Sequence, residues 1–378
     1  MTSSRQIPVF KPLLENEELD QCRAALEDGW LGMGSYVGAF EEAIKGFLEL
    51  NDRHVAAVST GHAALHLALL LMGVGPGDEV ITPAFNNIAD FQAILATGAE
   101  IVFCDIKSDT LCIDVGSAQE LVGPRTKAVI ATDYGCHLAD HDQLEELSQT
   151  DNVRILHDAA HSFGSTLNGK PVGSTSDIAM FSFDPVKTIT CIDGGLLVVK
   201  TMEELTQLHE MRLIGMGQPA SVMYQNKRAW TYDVNRLGFR YHMANLHAAL
   251  GLAQLKKFEI ISSNRKTYFQ HFHEEFEPLA FLEVPDADLD AVTPFIFYVR
   301  VIATERQKFR EHLVAHGVDT GLHWQPGHLF SAFQQSRRGP LIVTDEVADE
   351  IVTLPLHSRM SEQTIERIVS AVKSFEIS

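Results

Sequence analysis

The sequence predicts an α/β protein: a mostly parallel central sheet flanked by helices, with a smaller C-terminal α+β domain. Short apolar runs predict the sheet, namely Val80-Ile81, Ala128-Val129-Ile130-Ala131, Val153-Arg154-Ile155-Leu156 and Leu196-Leu197-Val198-Val199, alternating with helical patterns from about Ser59 onward. That rhythm belongs to strands covered on both faces by crossover helices. Length is the second observation, since 378 residues exceed one small core and favour two domains in one folded unit. The third is a change of pattern near residue 250, so a large domain is expected over 1–250 and a small one over 251–378.

Taken in order, the first helix is predicted after Thr60-Gly61, where Ala64, Leu65, Ala68, Leu69 and Met72 recur at three- and four-residue spacing. Gly73 and Gly75-Pro76-Gly77 close it. Gly215 to Thr231 has weak periodicity and predicts a mobile loop. Leu246, Ala249, Leu250, Ala253 and Leu255 predict a helix from Met243 to Phe258. Beyond it come a strand from Phe295 to Val301, a helix from Arg306 to His316, a loop rich in histidine and aromatic residues, and a last helix from Ser361 to Ser374.

Composition narrows the function classes. With 45% hydrophobic and 21% charged residues the chain can bury a sizeable core, and no segment is apolar for long enough to span a bilayer. The polar start Met1-Thr2-Ser3-Ser4-Arg5-Gln6 lacks an apolar signal core, which predicts a cytoplasmic protein. A formal charge of −20 repels polyanions, so nucleic acid is an unexpected partner. The five cysteines have no CxxC pair and read as reduced thiols; the 17 histidines show no metal-ligand spacing, so no metal is expected.

Three segments carry the chemistry. Asp158, in His157-Asp158-Ala159-Ala160-His161, follows a predicted strand at the carboxyl edge of the sheet, where open α/β folds hold ligands. Lys187 follows in Phe181-Ser182-Phe183-Asp184-Pro185-Val186-Lys187, ahead of Asp193-Gly194-Gly195. A lysine that forms a Schiff base must be desolvated, because at its ordinary pKa of about 10.4 it is protonated at neutral pH. A carboxylate on a pyridinium nitrogen would keep such a cofactor ring electron-withdrawing. Thr60-Gly61-His62 opens a helix, where free amides and the helix dipole favour an anion such as a phosphate, and Ser182 adds a hydroxyl donor. Singly, each has a plainer explanation: an N-cap, a surface lysine, a turn aspartate. Their order and placement at strand ends shift the balance.

These residues resemble the DegT/DnrJ/EryC1/StrS sugar aminotransferases, which have the aspartate-aminotransferase fold, fold type I. The resemblance runs over nearly the whole chain: Gly29-Trp30-Leu31, Ser59-Thr60-Gly61-His62-Ala63-Ala64-Leu65, Gly77-Asp78-Glu79-Val80-Ile81-Thr82-Pro83, Asp158-Ala159-Ala160-His161, Phe181-Ser182-Phe183 with Lys187, Gly238-Phe239-Arg240-Tyr241-His242-Met243, His323-Trp324-Gln325-Pro326-Gly327-His328 and Leu354-Pro355-Leu356-His357. It implies a homodimer with shared active sites. It also implies pyridoxal 5'-phosphate, pyridoxamine 5'-phosphate in the half-reaction, L-glutamate as amino donor, and a nucleotide-linked keto sugar as acceptor, a 4-keto-6-deoxy sugar before a 3-keto one.

By that resemblance Lys187 is the catalytic lysine. Asp158 holds the ring nitrogen, His161 the ring hydroxyl, and Thr60, Gly61, His62 and Ser182 the phosphate. His323, Trp324 and Tyr36 are expected on the substrate side. Asn87 stands where an aromatic ring is common, so the cofactor face is expected to be covered otherwise, Phe85 being one candidate; Asn87 itself is expected near cofactor or substrate. Arg240 replaces an Asn that usually reaches the phosphate across the dimer, and His242 replaces an Arg. Sugar dehydratases on the same scaffold carry His in place of the lysine, so Lys187 argues against that activity, and the intact Lys187, Asp158 and Ser182 argue against a non-catalytic regulatory relative.

Overall fold

The computed structural model describes residues 6–227 and 229–377. Met1 to Arg5 of the polar N-terminus and Arg228 in the predicted loop lie outside the described residues. Seven strands of the main sheet come from the first 200 residues: β1 (His54–Val58), β2 (Glu79–Pro83), β3 (Glu100–Cys104), β4 (Thr126–Thr132), β5 (Arg154–Asp158), β6 (Ile178–Ser182) and β7 (Gly195–Val199). In space they run β1-β7-β6-β5-β4-β2-β3, and Arg337–Arg338 extends the sheet beside β3. Neighbours from β6 to β3 are parallel; β7 alone is antiparallel to both its neighbours. β2, β6 and β7 are buried along their whole length, as expected of Val-, Ile- and Leu-rich strands covered on both faces.

Helices supply the cover. α1 (Gly61–Leu71) is apolar almost all round and is buried from Ala63 to Leu69 between the sheet and α2 (Ile88–Thr97). α3 (His141–Asp151) covers the opposite face beside β5 and begins after Asp140, whose carboxylate caps the Gln143 amide. The predicted helix at 243–258 is two: α4 (Asn245–Lys256) gives way at Lys257 to α5 (Phe258–Phe276). α5 leads to a three-stranded antiparallel sheet of Leu282–Glu283, Phe297–Val301 and Ile351–Leu354, against which it packs Phe269, Phe272 and Phe276. The two domains proposed from the sequence, 1–250 and 251–378, meet within α4.

Two further differences from the expected elements are small. Asp158 is the last residue of its strand rather than the first beyond it. The predicted loop from Gly215 contains a short helix, Ala220–Met223, and its strand Met216–Gly217 pairs with Asp233–Val234. A two-residue ladder is too short to leave a period in the sequence.

Candidate active site

Segments that follow β1, β2, β4, β5 and β6 at the carboxyl edge of the sheet deliver side chains to one cavity of about 600 Å³. It lies over the strand ends, where the chain turns from β2 out to β3 and then back to β4, the place at which such sheets open a crevice. Thr60, Gly61, His62, Asn87, Asp158, His161, Ser182, Lys187, His323 and Trp324, ten of the residues singled out from the sequence, line it.

One end is built to receive an anion. Thr60 caps α1, its hydroxyl accepting from the Ala63 amide at 3.0 Å and its carbonyl from Ala64 at 3.1 Å. The Gly61 and His62 amides are then the first-turn donors left over. A Cβ on Gly61 would fall 2.8 Å from Ser182 Oγ, and one on Gly195 would fall 2.3 Å from the Thr60 carbonyl oxygen. Glycine at both positions therefore lets α1, β6 and β7 converge on the same point. The His62 ring is turned aside, Nδ1 donating to the Ala89 carbonyl at 3.1 Å, so only its amide serves this end.

The other end holds the amine and the acid. β6 ends at Ser182, and an Asx turn in which Asp184 accepts from Val186 N at 3.0 Å throws Lys187 back over the cavity. Its Nζ lies 4.5 Å from the centre of the Phe295 ring. Burial pushes the ammonium down to about 8, against the opposing pull of Asp158, Asp184 and Asp90. Asp158 is 5% exposed, accepts from Ala160 N at 3.0 Å, and is pushed up to about 6, chiefly by burial.

His161 and His323 face the same space as neutral rings. Burial and the Lys187 charge lower both, His323 to about 4. His161 Nδ1 accepts from Gly135 N at 3.2 Å, and its ring stacks between Phe295 and Trp324, 4.4 and 6.0 Å away. His323 Nδ1 bonds to Thr353 Oγ1 at 2.9 Å. Among the described residues Trp324 Nε1 is a buried donor without an acceptor, the kind of atom a bound group completes.

Two sequence expectations, Phe85 and Tyr36, fall outside the cavity, whereas Asn87 lines it. Phe85 is 2% exposed and turns into the core against Tyr134, so it does not cover the cavity. Asn87 is the N-cap of α2, its side-chain oxygen accepting from Ala89 N at 2.9 Å. Tyr36 packs on the helix Ser35–Phe47, outside the cavity. Arg240 is exposed and lines a second cavity of about 400 Å³ with Trp30, Trp230, Tyr232 and His242. The sequence reading missed Phe295, Asp90 and Thr132, all of which line the first cavity. Phe295 is far along the chain and gave no signal. Asp90 follows Thr82-Pro83 at a strand end, the one local signal for it.

Asp133, His141 and His157 also gather, with their ligand atoms within 4.8 Å of one another. His157 Nε2 lies 2.7 Å from Asp133 Oδ2, and Ser162 Oγ and the Ala139 amide donate to the same carboxylate. These bonds join His157 to Asp133, and His141 Nε2 stands 3.7 Å from Asp133 Oδ1. A free-amide helix start, a hydroxyl, a lowered lysine and an inward carboxyl in one cavity fit pyridoxal phosphate, whose phosphate, aldehyde and ring nitrogen need those partners.

Comparison with known proteins agrees. The profile of the DegT/DnrJ/EryC1/StrS aminotransferase family matches residues 12–373. The spore coat polysaccharide biosynthesis protein SpsC of Bacillus subtilis is 30% identical over 376 residues, 97% of this chain and 96% of that one. Among solved structures, the aminotransferase TlmJ from Streptoalloteichus hindustanus is 29% identical with a TM-score of 0.90, covering 97% of this chain and 98% of the other. The PMP form of the sugar aminotransferase Spr1654 from Streptococcus pneumoniae, described as putative, is 25% identical with a TM-score of 0.87, covering 97% and 98%.

Proposed function

The chain belongs to the DegT/DnrJ/EryC1/StrS aminotransferase family and is a pyridoxal-phosphate-dependent sugar aminotransferase, and from that premise we propose that it moves the amino group of L-glutamate to a nucleotide-linked 4-keto-6-deoxy sugar. One observation carries this reading: Lys187, Asp158 and the anion-binding turn at Thr60-Gly61 share a single cavity. The likeness to a spore coat polysaccharide protein supports a role in making a surface polysaccharide.

The roles follow from the chemistry of each group. When bound, the cofactor supplies an electron-poor ring that makes a carbon beside nitrogen acidic. Asp158 holds the ring nitrogen and keeps it protonated. Lys187, lowered to about 8 by burial, has a substantial uncharged fraction near neutrality, so its amine takes a proton from the substrate carbon and returns it. Phe295, beside Lys187 and His161, excludes water from that end. His161 serves the ring hydroxyl, the Gly61 and His62 amides with Thr60 and Ser182 take the phosphate, and His323 and Trp324 meet the sugar.

Arg240 serves a second copy of the chain. It sits on an exposed face with Trp230, 88% exposed, and Leu237, 77% exposed, an apolar surface suited to a homodimer. There Arg240 reaches the partner's phosphate, and Tyr36 belongs to the same side. No described helix is long and apolar enough to cross a membrane.

The test is direct. The purified protein, given L-glutamate and a panel of nucleotide keto sugars, should release 2-oxoglutarate beyond one equivalent per site only with its own acceptor. Borohydride should fix the cofactor to the peptide that carries Lys187, read by mass. Labelling of a different lysine would overturn the assignment.

A further inference from the structure

Asp90 has no part in the roles above. It stands in the first turn of α2, where a carboxylate ordinarily faces water and gains from the helix dipole. This one is 0% exposed and lines the cavity from the crevice between β2 and β4. Its Oδ2 accepts from the Asn86 amide and, at 3.5 Å, from the Thr132 hydroxyl, while Asn86 also donates to Thr132 at 2.7 Å. Its Oδ1 is buried and receives no donor among the described residues. The other carboxyl lining this cavity, that of Asp158, is close enough to interact with it.

Two carboxylates cannot bond to each other, for neither has a proton to give. A hydrogen bond between them requires one to be an acid, and burial without water makes that state the stable one. The surroundings decide which. Asp158 has the Ala160 amide and the Lys187 charge to favour its anion, whereas Asp90 keeps a bare oxygen. Asp133 also faces Asp158, although His157 offsets it. On α1, packed against α2, the titratable groups are His62 and His66; Glu79 and Glu100 stand at the far ends of β2 and β3.

We propose that Asp90 and Asp158 share one proton, resident on Asp90 Oδ1 and donated to Asp158, so that Asp90 is a neutral acid that positions Asp158 and limits the pair to one negative charge. Burial pushes both carboxyls up, Asp90 well above the carboxylate range, in agreement with the geometry. Facing the cofactor, the pair then offers one charge to one protonated ring nitrogen; two would over-stabilise the ring proton. This role rests on the assignment of Asp158 to that nitrogen, but the shared proton does not.

Infrared spectra of the cofactor-free full chain, with and without carboxyl-¹³C aspartate, test the proton. A protonated-carboxyl stretch at neutral pH that shifts with the label and is lost in Asp90→Asn is expected. Its absence from the wild type, or its persistence in a folded Asp90→Asn, overturns the proposal. The holoenzyme tests the positioning role through the pH midpoint of its visible absorbance. Asp90→Asn keeps a donor to Asp158 and should stay near the wild-type midpoint, whereas Asp90→Ser, with its shorter side chain, should move it by about one pH unit. Equal midpoints in all three would overturn that role even with the infrared band present. A wild type with no visible absorbance would instead count against the cofactor reading and leave the infrared result standing.

Discussion

Asp133 and Asp158 make an instructive pair. They stand at the ends of adjacent strands, joined by a backbone bond from Asp133 N to Asp158 O of 3.1 Å, and are 0% and 5% exposed. Burial alone would raise both. Asp133 is nevertheless held far below the usual carboxylate range, because His157 and His141 outweigh the burial and Ser162 and Ala139 donate to it. Asp158 has one amide and a lysine whose charge burial also disfavours, and it rises to about 6. The difference teaches how to tell a structural acid from a reactive one at equal depth. The first is saturated with donors by its own fold; the second has capacity left for something that arrives later.

The largest expected effect falls on the unsaturated side. Lys187→Ala should lower amino transfer by at least about 10³-fold, at the upper end of what a positioned base contributes, with unchanged circular dichroism. Turnover within tenfold of wild type would break the contrast. On the saturated side, Asp133→Ala strands the His157 ring and should cost about 3–5 kcal/mol of stability in urea melts. Asp158→Asn in the cofactor-free protein should cost less than about 1 kcal/mol, since it removes a group raised rather than held by its surroundings. Equal losses would erase the distinction.

The pH dependence sharpens it further. Asp133 has a depressed folded pKa, so its contribution is fully present above the unfolded value of about 3.9 and is lost as pH falls below it. Asp158 has a raised one, so it destabilises the cofactor-free chain as pH rises toward and through about 6. The stability of wild type minus that of Asp158→Asn should therefore decline from pH 4 to pH 7, and a flat difference would count against the raised value. The smallest effect is at Asn87. Asn87→Ala removes the α2 cap and should cost about 1 kcal/mol with little change in cofactor absorbance, whereas bleaching would return Asn87 to the cofactor face.

Much of this was legible in the sequence, for stated reasons. The strands and α1 announced themselves because their periods are imposed by burial on both faces, and the lysine, the acid and the phosphate turn because each sits at a strand end with a distinctive neighbour. What escaped depended on direction rather than type. Asp90 reads as an ordinary first-turn acid until the fold points it inward. Asn87 lines the cavity, but the helix that begins there takes its side-chain oxygen, which no local pattern announces. Phe295 reaches Lys187 across more than a hundred residues of sequence, and no local pattern encodes such an approach.

The reversed strand β7 has one last consequence. Because it returns antiparallel beside β6, the segment carrying Lys187 is a hairpin closed at its base, Phe183 N bonding to Gly194 O and Cys191 N to Phe183 O, both at 2.9 Å. The lysine is thus on a short leash fastened at two points of a rigid sheet, free to pivot between partners yet unable to wander off with a swinging helix.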